Sequence, residues 1–253
     1  MALARAALES LLRTRQLDKT LTTALPIDLP GDEYASGASG VDELDARLGG
    51  GLPRGQLSEI VGSRSSGRLS LLLHMAAVAT RRGELVAIVD ALDMLDVASL
   101  EAAGVVLDRL LWIRGHVVIN PGMSRELNQR AMEQALRALA LVLQAGNFGL
   151  VVLDLAEAPI EIVSRLPFTT WLRLQRMVEG SQTVAMLVGC TPIARSSGGL
   201  TVKLGAEGWG PGAGDVRRAL FMGFDVEARV VRARARGQDD APARFATKGH
   251  VNV

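Results

Sequence analysis

A single cysteine, Cys190, is the whole thiol content of the 253 residues. It excludes an internal disulfide and any cysteine-rich zinc site, so no metal ligand set is expected. A lone thiol fits a reducing compartment. Excess charge of either sign is also missing: 28 basic residues face 27 acidic ones, for a net charge of +1. No global pull toward nucleic acid or membrane follows from that, and any such pull must be local. Apolar runs stay short of the roughly 18 residues that span a bilayer. The longest, at 69–79, is interrupted by His74. The first residues mix Arg5 and Glu9 with Ala and Leu, with no apolar signal core. The expectation is a soluble cytoplasmic protein without membrane contact. Lysine occurs only at 19, 203 and 248, so arginine carries nearly all the positive charge. What is abundant is core material: 48% of residues are hydrophobic. That excludes disorder as the dominant state and suits one large domain.

Patterning divides the chain. Leu3, Ala7, Leu8, Leu11 and Leu12 recur at helical spacing over 2–19. Pro26, Pro30, Gly31, Ser36 and Gly37 break the connector that follows. Ser39 with Asp42 three residues on reads as a helix start, for a short helix at 41–48 that ends at Gly49-Gly50-Gly51. From there strands and helices alternate. Strands are expected at 57–61, 85–89, 109–113, 149–153 and 183–188. Helices are expected after the glycine loop 62–67 to about 82, then near 96–103, 124–145 and 168–179. Several strands are unbroken apolar runs, which argues for a parallel-dominated sheet flanked by helices on both faces, an α/β fold. Residues 200–236 read as strands and loops rich in Arg, and 237–253 as a polar tail, loose or docked on another surface. The expected division is an N-terminal helix and linker (1–35), a core domain (36–236) and the tail (237–253).

The glycine loop is the first chemical signal. Strand, Gly-x4-Gly and helix form the layout of a phosphate loop, where backbone N–H groups curl around phosphate oxygens at a helix N-terminus. Here it reads Gly62-Ser63-Arg64-Ser65-Ser66-Gly67-Arg68-Leu69. The chemistry also needs a Lys beside the last Gly and then a Ser or Thr hydroxyl for Mg²⁺. Arg68 and Leu69 occupy those places. Arg keeps the charge but is planar and forked, and Leu69 ligates nothing. Ser70 comes one residue late, about 100° round the helix. A second element, Leu150-Val151-Val152-Leu153-Asp154, places a carboxylate at a strand end, where such folds hold one near the metal.

The stretch 37–62 resembles the lead-in to the phosphate loop of the RecA superfamily. Asp45 followed by Leu48-Gly49-Gly50-Gly51-Leu52-Pro53-Arg54-Gly55 is the most telling part. Ile88-Val89-Asp90-Ala91 and Leu95-Asp96 resemble the next strand and turn, and the resemblance runs from about 36 to 205. Within the superfamily the chain is similar to the ImuA family of the bacterial SOS mutagenesis cassette, a family also described as SulA-related. Leu111-Trp112-Ile113-Arg114 and Trp171-Leu172-Arg173-Leu174-Gln175-Arg176 fit that likeness. The resemblance implies a RecA-like P-loop fold with an N-terminal helical arm and a basic β-rich C-terminal extension. It also exposes departures. Where RecA proteins carry the glutamate that activates water, this chain has Leu92. The adenine-stacking aromatic falls at Ser99 and the nucleotide-sensing glutamine near Cys190. The two DNA-binding loops shorten to about 156–166 and 193–199. Losing a general base alone costs ~10²–10⁴-fold, so little or no ATP hydrolysis is expected, no cofactor is required, and the loop retains at most phosphate, sulfate or weak ATP/ADP binding.

Other features carry paired readings. The glycines of 62–67 either cradle an anion or merely let strand and helix pack. Asp154 is a residual metal-side carboxylate or a strand-end cap. His74 is a core or edge residue, His116 and His250 have no evident partner, and Cys190 is a small packing residue. Between 217 and 236, Arg217, Arg218, Arg229, Arg232, Arg234 and Arg236 face only Asp225 and Glu227. Positions 232, 234 and 236 would share one strand face, suited to an acidic partner or phosphates, or simply solvated. Leu8, Leu11 and Leu12 either pack on the chain's own core or mediate self-association or docking on RecA, as the resemblance implies.

The resemblance further implies a catalytically degenerate adaptor in SOS-induced, error-prone translesion synthesis. Its partners would be an ImuB-type Y-family polymerase-like protein, an error-prone C-family DNA polymerase and RecA. The alternatives are an active DNA-dependent ATPase, in which Arg68 replaces Lys and Asp93 replaces the missing glutamate, a single-stranded DNA-binding modulator of recombination, and a SulA-like division inhibitor.

Overall fold

The computed structural model describes residues 36–115, 125–194, 199–206, 225–233 and 243–246. The segment 2–19, expected to be helical, with Leu8, Leu11 and Leu12 lies outside the described residues, as do Arg217, Arg218, Arg234, Arg236, His116 and His250. In order the elements are β1 (Ser36–Gly37), α1 (Asp42–Arg47), β2 (Leu52–Pro53), β3 (Gln56–Gly62), α2 (Arg68–Arg81), β4 (Val86–Asp90) and α3 (Val97–Ala102). A 3-10 turn (Leu107–Arg109), β5 (Leu110–Arg114), α4 (Arg125–Ala145), β6 (Leu150–Asp154), α5 (Ile160–Val163) and α6 (Phe168–Val178) follow. The series closes with β7 (Val184–Gly189), β8 (Leu200–Ala206), β9 (Asp225–Ala233) and β10 (Ala243–Ala246).

Eight strands form one sheet in the order β10-β9-β8-β3-β7-β6-β4-β5. The run from β8 to β5 is parallel throughout, and β9 and β10 add antiparallel. The fold is therefore α/β with a mostly parallel sheet flanked by helices. Its core splits in two along the period of the strands. Val86 and Ile88, Leu150 and Val152, and Val184, Met186 and Val188 join the core under α1 and α2. Ala87 and Val89, Val151 and Leu153, and Ala185 and Leu187 join the core under α4 and α6. Alternate side chains face opposite ways along a strand, so a strand covered on both faces must be apolar at every position. Each fully buried Leu, Ile or Val contributes about 1.5–3 kcal/mol.

Helix α6 shows how such a cover is built. Trp171, Leu174 and Val178 recur at helical spacing and are buried. The side-chain oxygen of Gln175 accepts the Leu57 N–H at 2.8 Å and ties the helix to the start of β3. Local chemistry differs from expectation at α1. Its N-cap is Val41, without a side-chain cap. Asp45, not Asp42, does the capping: its carboxylate accepts the N–H groups of Ser39 at 2.7 Å and Gly40 at 3.1 Å. Two other elements depart from the pattern reading. A short helix, α5, stands within the expected loop 156–166. Residues 243–246, in the stretch read as a tail, form the outermost strand of the sheet, with Phe245 packed on the core. No helix among the described residues is long and apolar enough to cross a membrane.

A candidate phosphate-loop cavity at the carboxyl ends of the strands

The carboxyl ends of β3, β4, β6 and β7 open on a cavity of about 410 Å³. It is lined by Arg64 to Ser70, by Asp90, Leu92, Met94 and Leu95 after β4, by Asp154, Ala156 and Glu157 after β6, and by Val188. The sites expected from the glycine loop, Asp154 and Leu92 therefore meet in one place. Ser70, expected to swing away, also borders this cavity.

Packing fixes the loop. Gly67 has φ +89°, a left-handed conformation that favours glycine, and a Cβ there would fall 2.7 Å from a methyl of Val226. At Gly62 a Cβ would fall 2.3 Å from the Ser66 hydroxyl oxygen and 2.7 Å from the Leu204 carbonyl oxygen. Both glycines are thus required by the fold itself. The Ser66 hydroxyl is buried and has no hydrogen-bond partner among the described residues.

Arg68 points inward. Its side chain is 6% exposed. It donates to the Ala156 carbonyl at 3.3 Å, to Cys190 Sγ at 3.3 Å and to Glu157 Oε1 at 3.5 Å. Arg64 grips the other oxygen of the same carboxylate, Nε at 2.8 Å and Nη2 at 2.6 Å from Glu157 Oε2. Glu157 was not singled out from the sequence. Nothing in its neighbourhood marks it: it becomes significant only when the loop after β6 meets the loop after β3. Cys190 is a correction to the packing assignment: it is exposed, and its thiol donates to the Ala156 carbonyl at 3.0 Å. His74 is exposed as well.

Asp154 and Asp90 lie side by side in register at the ends of β6 and β4. Asp90 is spent on structure, accepting the N–H groups of Met94 and Leu95, each at 2.9 Å, and the Trp112 indole N–H at 3.3 Å. Among the described residues Asp154 accepts only the Ala156 N–H, at 2.9 Å. Its burial is the main cause that pushes its carboxyl from the ordinary 3.8 to about 6, with Asp90 and Glu157 adding to the rise and the Ala156 N–H and Arg68 opposing it. Asp93 does not supply the missing glutamate in this geometry. It has φ +54° and turns to Arg114, which binds it through two hydrogen bonds of 2.6 and 2.8 Å. Those bonds hold Asp93 below the ordinary carboxylate range. Ser99 is engaged in the cap of α3: its N–H and hydroxyl donate to the N-cap residue Asp96 at 2.8 and 2.7 Å.

Two further regions matter. In β9, Arg229 is paired with Glu227, which Arg244 also reaches at 3.3 Å. The register slips by one residue opposite Thr201 and Val202, a β-bulge at which strict alternation of faces fails. The expected row of Arg232, Arg234 and Arg236 lies beyond that bulge, and Arg234 and Arg236 are outside the described residues. Between α4 and α6 runs a groove of about 820 Å³. Leu136, Leu141 and Leu166 help to line it, and Arg137, Arg165 and Arg173 stand at its rim. Those three arginines have no ion pair among the described residues, and Glu133 is the only carboxylate in the lining.

A six-stranded parallel run with a Gly-x4-Gly loop after its first strand, and an aspartate ending a strand opposite, defines a RecA-like P-loop class of protein. The RecA N-terminal domain model matches residues 31–159, just over half of the chain. The chain belongs to the RecA family. It is 36% identical over 122 residues to Protein RecA of Desulfotalea psychrophila, covering 48% of this chain and 30% of that one. It is 36% identical over 147 residues to Protein RecA of Clavibacter michiganensis, covering 56% and 37%. It is 35% identical over 155 residues to Protein RecA of Cereibacter sphaeroides strain ATCC 17023, covering 60% and 41%. The chain spans well under half the length of these relatives.

Proposed function

We propose that this chain is a catalytically degenerate RecA-like adaptor of the ImuA type, acting in SOS-induced, error-prone translesion DNA synthesis. It recruits or regulates an ImuB-type Y-family polymerase-like protein, an error-prone C-family polymerase and RecA, without hydrolysing ATP. The observation that carries this reading is the engagement of Arg68. A cation that serves a transferring phosphoryl group must be free to reach it, and this one is bonded to Glu157, Ala156 and Cys190. Three further features support it. Leu69 stands where a metal-binding hydroxyl belongs. Leu92 stands where the water-activating glutamate belongs. Two guanidiniums face three carboxylates in the cavity lining, which leaves no surplus positive charge for a polyphosphate. The residues present do not fit Mg·ATP as a reacting ligand.

Surfaces suited to partners complete the adaptor reading. The segments 2–19 and 217–253 are two of them. Among the described residues the third is the α4–α6 groove. An apolar floor with three arginines that have no ion pair among the described residues fits an amphipathic helix with an acidic flank, docked by its apolar face. The partner polymerase-like protein would supply that helix.

One observation favours a rival, the active ATPase: Ser70 borders the cavity and could present its hydroxyl in place of Leu69. Phosphate release from Mg·ATP by the full chain, with and without single-stranded DNA, separates the two. The adaptor reading expects no turnover above a Ser70→Ala, Arg68→Ala control. Turnover abolished by those substitutions would establish the enzyme.

A further inference from the structure

We infer that the phosphate loop of this protein carries its own anion: the Glu157 carboxylate stands where a ligand's phosphate would meet Arg64 and Arg68, and the cavity takes a free oxyanion only when that carboxylate is removed. The inference deepens the adaptor reading and rests on it, since a loop whose anion is built in has no need of a nucleotide.

The geometry is that of a ligand held by its site. Each carboxylate oxygen of Glu157 meets a different arginine, Oε2 on Arg64 at 2.6 and 2.8 Å and Oε1 on Arg68 at 3.5 Å. A planar, forked guanidinium binds carboxylate and phosphate oxygens in the same manner, so one can stand in for the other. The carboxylate is also delivered ready to bind. Leu155 N–H donates to the Val188 carbonyl at 2.9 Å, Ala156 N–H to Asp154 at 2.9 Å and Ala158 N–H to the Leu155 carbonyl at 3.0 Å. The Ala156 carbonyl in turn accepts from Arg68 and Cys190. The backbone on either side of Glu157 is pinned, and its carboxylate is confined beside the loop. A tethered group of this kind competes at a millimolar-scale effective concentration or above, which a weakly held free anion does not match.

Charge and polar atoms agree. With Glu157 present, the lining holds Arg64 and Arg68 against Asp90, Asp154 and Glu157. Its removal releases Arg64 and the Nη2 of Arg68, leaves Arg68 Nη1 on the Ala156 carbonyl and Cys190, and balances the remaining charges. The Ser66 hydroxyl, buried in the same loop, has no hydrogen-bond partner among the described residues.

The test uses pyrophosphate as the probe, titrated calorimetrically into the full-length wild-type chain, Glu157→Gln, Glu157→Ala and the double variant Glu157→Ala/Arg68→Ala. Wild type should bind weakly or not at all. Glu157→Ala should bind about tenfold more tightly or better, with Glu157→Gln between, and the double variant should lose the gain. Pyrophosphate should raise the Tm of Glu157→Ala and leave wild type unmoved. Wild-type binding as tight as that of Glu157→Ala would overturn the inference. So would a gain that survives the loss of Arg68. If neither single variant melts cooperatively, Glu157 is a folding residue and the inference fails too. These outcomes differ from failure of the adaptor reading, which requires wild-type ATP turnover. Tight wild-type binding without turnover would remove the built-in anion and leave the adaptor standing.

Discussion

Two arginine–glutamate nodes sit at opposite ends of the same parallel strands, and they are built for different work. At the amino ends, Arg54 donates to Glu84 at 2.9 Å, to the Gln182 carbonyl at 2.6 Å, and to the Ser36 and Gly149 carbonyls at 3.4 Å. Those acceptors precede or open several strands, so one side chain ties the sheet's origins together. At the carboxyl ends, Arg68 shares Glu157 with the exposed Arg64 inside a cavity. The first node links the loops that lead into the strands. The second fills a space where the fold family places a ligand. The same pair of residue types thus gives stability at one edge and occupancy at the other.

The comparison is broken or sharpened by graded substitutions. Arg54→Ala should have the largest effect on folding. It leaves Glu84 with Arg82, at 3.1 Å, as its remaining ion-pair partner and strips the Gln182 and Ser36 carbonyls of their guanidinium donor, a combined loss of about 3 kcal/mol. At 2–4 °C per kcal/mol for a chain of this size, Tm should fall by roughly 10 °C. A loss below about 1 kcal/mol in urea denaturation would end the distinction between the two nodes.

Next comes Asp154. Its carboxyl is raised to about 6 in the folded state against 3.8 ordinarily, so between about pH 4 and 6 the folded chain binds more protons than the unfolded one. Stability should therefore fall as pH rises through that window and level off above it. Asp154→Asn keeps an acceptor for the Ala156 N–H and removes the buried charge. It should stabilise the protein by about 2–3 kcal/mol at pH 7 and flatten the profile. An unchanged slope between pH 4 and 6 would mean that another group titrates there.

Arg68→Ala should cost less, about 1 kcal/mol, because Arg64 still holds Glu157. A cost equal to that of Arg54→Ala would make the second node structural as well. Leu141→Asp should be the mildest of all for folding, within about 0.5 kcal/mol, since Leu141 is 68% exposed. Its effect should appear in partner binding, measured with the purified ImuB-type protein. Undiminished affinity would remove the α4–α6 groove from the adaptor's surfaces.

The sheet was legible in the sequence for a physical reason. Runs such as Val86-Ala87-Ile88-Val89 are apolar at consecutive positions, which only a strand buried on both faces requires. Gly62 and Gly67 marked the loop because their neighbours leave no room for a Cβ. Other features were hidden because they depend on contacts distant in sequence. Glu157 meets Arg64 and Arg68 across about ninety residues. Asp93 was a plausible base until its left-handed backbone turned it toward Arg114. Asp42 and Asp45 both lie within capping reach of Ser39, and only the folded turn selects Asp45. Cys190 follows a buried strand, and the strand's end leaves it exposed, with Arg68 donating to its Sγ. The strand Ala243–Ala246 is too short to show a period, and its pairing with β9 defines it.

The most direct measurement is phosphate release from Mg·ATP by the purified full-length chain, with single-stranded DNA and RecA added in turn and Arg68→Ala as the control. The account predicts release no faster than that of the control under every condition. Release that depends on Arg68 would contradict it, because Leu69 and Leu92 would then have working replacements within the cavity.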